Sequence, residues 1–186
     1  MAYDPTQQTR DRRFEALALP HLDAAYNLAR WLARDEQDAA DIVQDAMLRA
    51  FVALDGLRGE DARPWLLAIV RNSAYTWLRR NRPADLVVPY DEYLHDVGDA
   101  SADPQQLALR AADRRRVDTA LAALPVEFRE AIVLRELEEL SYREIATVLS
   151  VPVGTVMSRL SRGRLRLLRL LVDDAGAVSG AGTGAR

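Results

Sequence analysis

Thr155, Ser158, Arg159, Ser161 and Arg162 are spaced so that a helix through them presents hydroxyl and guanidinium groups on or near its outer faces. Such groups suit duplex DNA, because arginine grips phosphate or reads guanine through two hydrogen bonds. From Met157 to Leu171 the chain carries Arg159, Arg162, Arg164, Arg166 and Arg169 and no acidic residue, which makes a concentrated positive end. A second set of residues has the opposite sign. Asp38, Asp41 and Asp45 recur at three- and four-residue intervals with Gln44 beside them, so a helix would carry them as an acidic stripe. Each pattern also has a plainer reading. A basic helix alone is more often a solvated arginine face, and acids near a helix N-terminus are favourable there without any partner.

The surrounding elements decide between these readings. Ser141 and Glu144 form an S-x-x-E capping box, which starts a helix at about Ser141. Ile145, Ala146 and Leu149 share one face of it, and the small Ala146 permits a close helix crossing. Pro152 is tolerated in a first helical turn, so a second helix opens near Pro152 or Val153 with Val153, Val156 and Leu160 inward. Capping box, turn and basic second helix together read as a helix-turn-helix over 142–161. The N-terminal part is helical as well. Phe14, Leu17, Leu22, Ala25, Leu28, Ala29 and Leu32 keep helical spacing around a break at Pro20, and Asp35 caps a helix over 36–54. Asp55 to Ala62 reads as a loop, and Pro64 opens a third helix to about Arg82. Trp65, Leu66, Ile69, Val70, Ser73 and Trp77 form its expected inner face, with Asn72, Tyr75, Thr76, Arg79 and Arg80 on the other.

Charge distribution divides the chain. Its net charge is only −3, but residues 83–108 hold six acids and no arginine, whereas 109–172 hold 12 arginines against eight acids. The expected fold is all-α: two small helical domains, 10–82 and 109–172, joined by a flexible acidic linker over 83–108. The Ala- and Gly-rich stretch 173–186 is expected to be a disordered tail. Lysine and cysteine are absent, and only His21 and His95 are histidines, so thiol catalysis, disulfides and a histidine-rich metal site are excluded. No cofactor, catalytic residue or small-molecule substrate is expected. Without a signal segment or a membrane-length apolar run, the expectation is a cytoplasmic protein with no membrane insertion.

The run Leu124 to Arg135, followed by Leu140 to Ala146 and Pro152 to Val156, resembles region 4 of bacterial RNA polymerase sigma factors. Asp38 to Phe51 resembles their region 2 segment, and the resemblance extends over roughly 10–172. It is strongest to the small extracytoplasmic-function (ECF) type. That resemblance implies a nonenzymatic initiation subunit that binds core RNA polymerase, through its beta-prime and beta subunits, and promoter DNA. It implies polymerase binding by Asp38, Asp41, Gln44, Asp45, Leu48 and Arg49. It implies minus-10 recognition by Arg71, Asn72, Tyr75, Arg79 and Arg80, with the base pocket in the loop 55–63. Minus-35 recognition falls to Thr155, Met157, Ser158, Arg159, Ser161 and Arg162. Met157 stands where the family often has a basic residue, so one contact is missing. Arg116 and Arg129 are further phosphate contacts or solvated side chains. The family also implies an anti-sigma factor. The alternative is a stand-alone helix-turn-helix regulator, which would bind DNA without polymerase and usually as a dimer.

Overall fold

The computed structural model describes residues 5–57, 61–86 and 106–180. Helices α1 (Pro5–Ala18), α2 (Leu22–Ala33), α3 (Glu36–Ala53) and α4 (Ala62–Asn81) form the N-terminal half; α5 (Gln106–Ala123), α6 (Val126–Ile132), α7 (Tyr142–Leu149) and α8 (Val153–Gly180) form the C-terminal half. No strand occurs among the described residues. Pro20 interrupts the first apolar repeat as expected, within a 3-10 turn over Leu19–His21. Between α2 and α3, Arg34 takes a left-handed conformation and Asp35 caps the next helix by accepting from the Asp38 amide at 2.9 Å. Helix α4 starts at Ala62, ahead of the expected Pro64, because Asp61 accepts from the Arg63 amide and caps the helix there. Pro64 still falls in the first turn, where an amide hydrogen would have no intrahelical acceptor.

Helices α2, α3 and α4 pack mutually around Leu28, Leu32, Ile42, Ala46, Leu67 and Ala74. The buried face of α4 is centred on Leu66, Leu67, Val70, Ala74 and Leu78. Trp65, Ile69 and Trp77, expected on that face, lie half-buried at its margin. Ala74, with no exposed surface, lies at the centre of that face, and the indole rings cover the edge of the core instead.

In the C-terminal half, α6 widens into a π-helical turn over Val133–Leu137, with the Glu138 amide donating to the Val133 carbonyl. The capping box forms in full: the Glu144 amide donates to Ser141 Oγ at 3.3 Å, and the Ser141 amide donates to Glu144 Oε2 at 2.7 Å. Those bonds to Ser141 hold the Glu144 carboxyl below its ordinary range. Ser150 closes α7 in the left-handed region at φ 53°, and α8 opens at Val153 behind Pro152. Helix α8 lies so close to α6 that a Cβ on Gly163 would stand 2.9 Å from Ile132 Cδ1 and 3.2 Å from Phe128 Cβ.

Two boundaries differ from expectation. Helix α8 continues to Gly180, which corrects the expected disordered tail for 173–180; that stretch has no proline and includes Ala175 and Ala177, which favour helix. Residues 181–186 lie outside the described residues. Helix α5 begins at Gln106, inside the expected linker, and Pro83–Leu86 forms a 3-10 turn; 87–105 lie outside the described residues. The two halves also touch, α2 against α6 and α4 against α7, and their apolar residues join one core.

Gly163→Ala should lower stability by about 1 kcal/mol, because Phe128 Cβ at 3.2 Å, fixed to the α6 backbone, cannot swing aside as the tip of Ile132 can, and this outweighs the gain in helix propensity; a urea midpoint unchanged or raised would refute this. Ser141→Ala should cost about 1 kcal/mol at neutral pH. Since folding depresses the Glu144 carboxyl, its contribution is present above the unfolded carboxylate range and disappears as pH falls through the folded value. The gap between the wild-type and Ser141→Ala melting temperatures should therefore narrow on acidification from neutral pH, and a constant gap would count against the assignment.

Candidate nucleic-acid and protein interfaces

The start of α8 is held by Val156 and Leu160, both buried, so the residues between them point outward or sideways. Met157, Ser161 and Arg162 are exposed, and Arg162 has no ion pair among the described residues. Thr155 and Ser158 are half-buried, and Ser158 Oγ donates to the Thr155 carbonyl at 2.9 Å. Arg159 behaves differently from its neighbours. It turns toward α6, where its Nη1 donates to Glu130 Oε1 at 3.0 Å and its Nη2 lies 3.5 Å from Glu127. Downstream, Arg164 pairs with Glu136 and Arg166 covers the Phe128 ring, so two arginines of the basic run are partly engaged within the fold.

Helix α4 splits in the same way. Asn72, Arg79 and Arg80 are exposed, whereas Arg71 and Tyr75 turn into the contact between the halves. Arg71 donates from Nε to Glu130 Oε2 at 2.7 Å and from Nη2 to Oε1 at 3.1 Å, with its guanidinium 4.3 Å from the centre of the Tyr75 ring. Burial works against the Arg71 charge, but the bond to Glu130 and its charge outweigh that and hold the group above its ordinary range. Burial, reinforced by Glu130, also raises the Tyr75 hydroxyl well above the usual phenol range. Of the loop expected to form a base pocket, 58–60 lie outside the described residues.

Glu130 itself has no exposed surface, and the sequence reading passed over it. A second polar bridge joins the halves further along, where Glu138 accepts from Asn27 Nδ2 at 2.5 Å and from Arg63 Nη2 at 2.9 Å. Arg129 is neither a phosphate contact nor solvated, which corrects both expectations for it. Its guanidinium is buried and donates to the carbonyls of Leu121, Ala122 and Leu124, at the end of α5, and across the contact to Trp31. Burial, with the charge of Arg34 adding to it, lowers Arg129 to about 10, so it remains a cation at neutral pH. A signal for these charges was present. Val126, Phe128, Ala131, Ile132, Val133 and Leu134 surround them in sequence, so a helix there has little polar face on which to place Arg129 and Glu130. Arg116 donates to the Leu171 carbonyl, tying α5 to α8.

The acidic stripe lies on α3. Asp38 is drawn toward Arg82 at 3.4 Å, and Asp45 pairs with Arg49 one turn on at 2.7 Å. Asp41 and Gln44 are exposed, as is Leu48 at 65%. Gln44 also borders an open, apolar groove of about 510 Å³ between α2 and α3, lined by Leu22, Tyr26, Val43 and Met47. Carboxylates, an amide and an exposed leucine beside an apolar groove make a surface suited to a basic, amphipathic protein element. No helix among the described residues is long and apolar enough to cross a membrane.

The sequence matches the family descriptions "Sigma-70 region 2" over residues 17–84 and "Sigma-70, region 4" over 114–167. It is 36% identical to the RNA polymerase sigma-H factor of Pseudomonas aeruginosa over 165 residues, covering 85% of this chain and 86% of that protein. Over 134 residues it is 39% identical to the ECF RNA polymerase sigma-E factor of Escherichia coli K12, covering 68% of this chain and 70% of the relative. Among solved structures, the sigma factor RpoE of Bartonella quintana, in complex with the anti-sigma factor NepR, superposes with a TM-score of 0.66 at 27% identity, covering 85% of this chain and 96% of that one. CnrH, in complex with the cytosolic domain of CnrY, gives 0.63 at 30% identity, covering 88% and 90%. With both regions matched in order on a helical frame that ends in a helix-turn-helix, the chain belongs to the sigma-70 family, as an RNA polymerase sigma factor of the ECF type.

Proposed function

We propose that this sigma factor binds core RNA polymerase through α3, using Asp38, Asp41, Gln44, Asp45, Leu48 and Arg49, and places α4 and α8 on the two promoter elements. The observation that carries this reading is the separation of charge by element. The exposed part of α3 offers Asp41, Gln44 and Leu48 beside an apolar groove, whereas α4 and α8 offer exposed Arg79, Arg80 and Arg162. Cations at the end of α4, with Asn72 and the Arg71–Tyr75 pair, suit an unpaired strand, where phosphates need positive charge and bases need stacking partners. Thr155, Ser158, Arg159, Ser161 and Arg162 at the start of α8 suit the major groove, with Met157 offering an apolar contact there instead of a charge. Nucleotide chemistry belongs to the polymerase, and this chain contributes positioning. The complexes of RpoE with NepR and of CnrH with the cytosolic domain of CnrY support the further reading that an anti-sigma factor restrains this chain too.

Transcription from a genomic promoter library by sigma-free core polymerase provides the test. Intact protein should generate new transcript starts and reveal both promoter elements, whereas Asp41→Arg/Asp45→Arg should lose on the order of tenfold or more of that activity while staying folded. Arg162→Ala should weaken use of the upstream element by about 1–3 kcal/mol. Absence of any start from a folded protein that binds duplex DNA alone would replace this reading with a stand-alone regulator.

A further inference from the structure

The first turns of α8 present one large side chain among small ones. Met157 is 55% exposed, and its neighbours on the same side of the helix, three residues before and four after, are Gly154 and Ser161. Val153, four residues before, was expected inward but is 39% exposed, because the first residue of a helix has no preceding turn beside it. Buried Val156 and Leu160 hold the opposite side, which fixes Met157 outward. Charge is absent from the centre of this face. Arg159 turns to Glu127 and Glu130 on α6, and Arg162, five residues after Met157, lies well round the helix from it.

A face of this kind selects its target by shape and apolar contact. Along the major groove the base edges offer hydrogen-bond donors and acceptors, and the one apolar group among them is the C5 methyl of thymine. An unbranched, polarizable thioether chain adapts to such a target more readily than a branched one. Gly154 adds a second observation. A Cβ there would meet nothing within 4 Å, and its φ lies outside the left-handed region, so the fold makes no demand for glycine at a position where glycine weakens the helix. What the missing Cβ leaves is clearance in front of α8, one turn ahead of Met157. We infer that Met157 is a specificity-determining residue that reads a thymine of the minus-35 element through its C5 methyl, with Gly154 providing the clearance that lets the helix come close enough. This rests on the assignment of α8 to the minus-35 element made above. The base pair in front of Met157 is then chosen by apolar contact in place of an arginine–guanine fork, and Arg162 supplies the charge beside it.

Holoenzyme assembled from core polymerase and the full-length chain can be titrated against the strongest promoter from the library and against duplexes in which each minus-35 thymine, on either strand, is replaced in turn by deoxyuridine. Deoxyuridine pairs as thymine does and lacks only the methyl. One replacement should weaken wild-type binding about fourfold, the equivalent of one methylene left unburied. Met157→Ala, folded by circular dichroism, should bind the parent and that deoxyuridine duplex alike while still discriminating at other minus-35 positions, and Met157→Arg should move the preference at that base pair toward guanine. Gly154→Ala should weaken binding to the element while its melting temperature stays unchanged or rises by about 1–4 °C, a pairing of effects that a glycine required by the fold would not give. Equal wild-type binding to every duplex, an upstream element without thymine, or a deoxyuridine penalty that persists in Met157→Ala would overturn the inference and leave the sigma reading standing. Gly154→Ala with undiminished binding or a lower melting temperature would overturn the clearance. Transcript starts that share no upstream element would overturn the inference together with the assignment of α8, and the absence of any start is the separate failure of the sigma reading itself.

Discussion

A carboxylate with no access to water must be met by positive charge and by donors for its lone pairs, and Glu130 is such a group. Its solution draws one arginine from α4 and one from α8, and in doing so it relates the two halves of the chain. Buried ion pairs add little net stability compared with apolar packing, but removing one partner is costly because the other is stranded. What they supply here is register. Glu130 on α6 must lie where Arg71 of α4 reaches both its oxygens and Arg159 of α8 reaches Oε1.

The neighbouring residue solves a complementary problem. Carbonyls run out of backbone donors where α5 ends, and Arg129 donates to those of Leu121, Ala122 and Leu124, sharing the first with the Leu124 amide, while reaching the Trp31 carbonyl near the end of α2. Arg82 does the same for Ala33, the last residue of α2. A chain whose cations are all arginine is well equipped for this. A guanidinium offers five donors in a rigid plane and can serve several carbonyls at once, whereas an ammonium carries three donors on a compact point charge. Much of the positive charge that a sequence count would assign to DNA is therefore spent on helix ends and interior acids.

That division explains what could be read from the chain beforehand. The helix starts were legible because capping is local: Asp35, Ser141 and Pro152 mark α3, α7 and α8 within a residue or so. The helix-turn-helix followed from the same local signals, and the family resemblance rested on it together with the α3 motif. Which arginines face solvent was not legible, since Arg159 and Arg162 are alike in type and close in sequence, and only the position of Glu130 on another helix separates them. The tryptophans misled for a related reason: hydrophobicity alone favours Trp65 and Trp77, whereas the face that α4 buries is centred on the smaller Leu67, Val70 and Ala74, and which face turns inward depends on the neighbouring helices. The end of α8 was placed too early because Ala and Gly were read as lacking a core, although a helix already eighteen residues along by Leu170 needs little more than propensity to continue.

The left-handed Ser150 and the close seat of Gly163 fix α8 from behind, leaving its front open to change. Met157, Ser161 and Arg162 can be exchanged during divergence without disturbing Val156 or Leu160, so most of the surface proposed for promoter recognition is free to acquire new preferences. Arg159 lacks that freedom, because a substitution chosen for a new base would also strip the buried Glu130 of one of its two arginines. Paralogous factors descending from this scaffold should therefore differentiate mainly at the outer positions, with the residue facing Glu130 changing only together with its acidic partner.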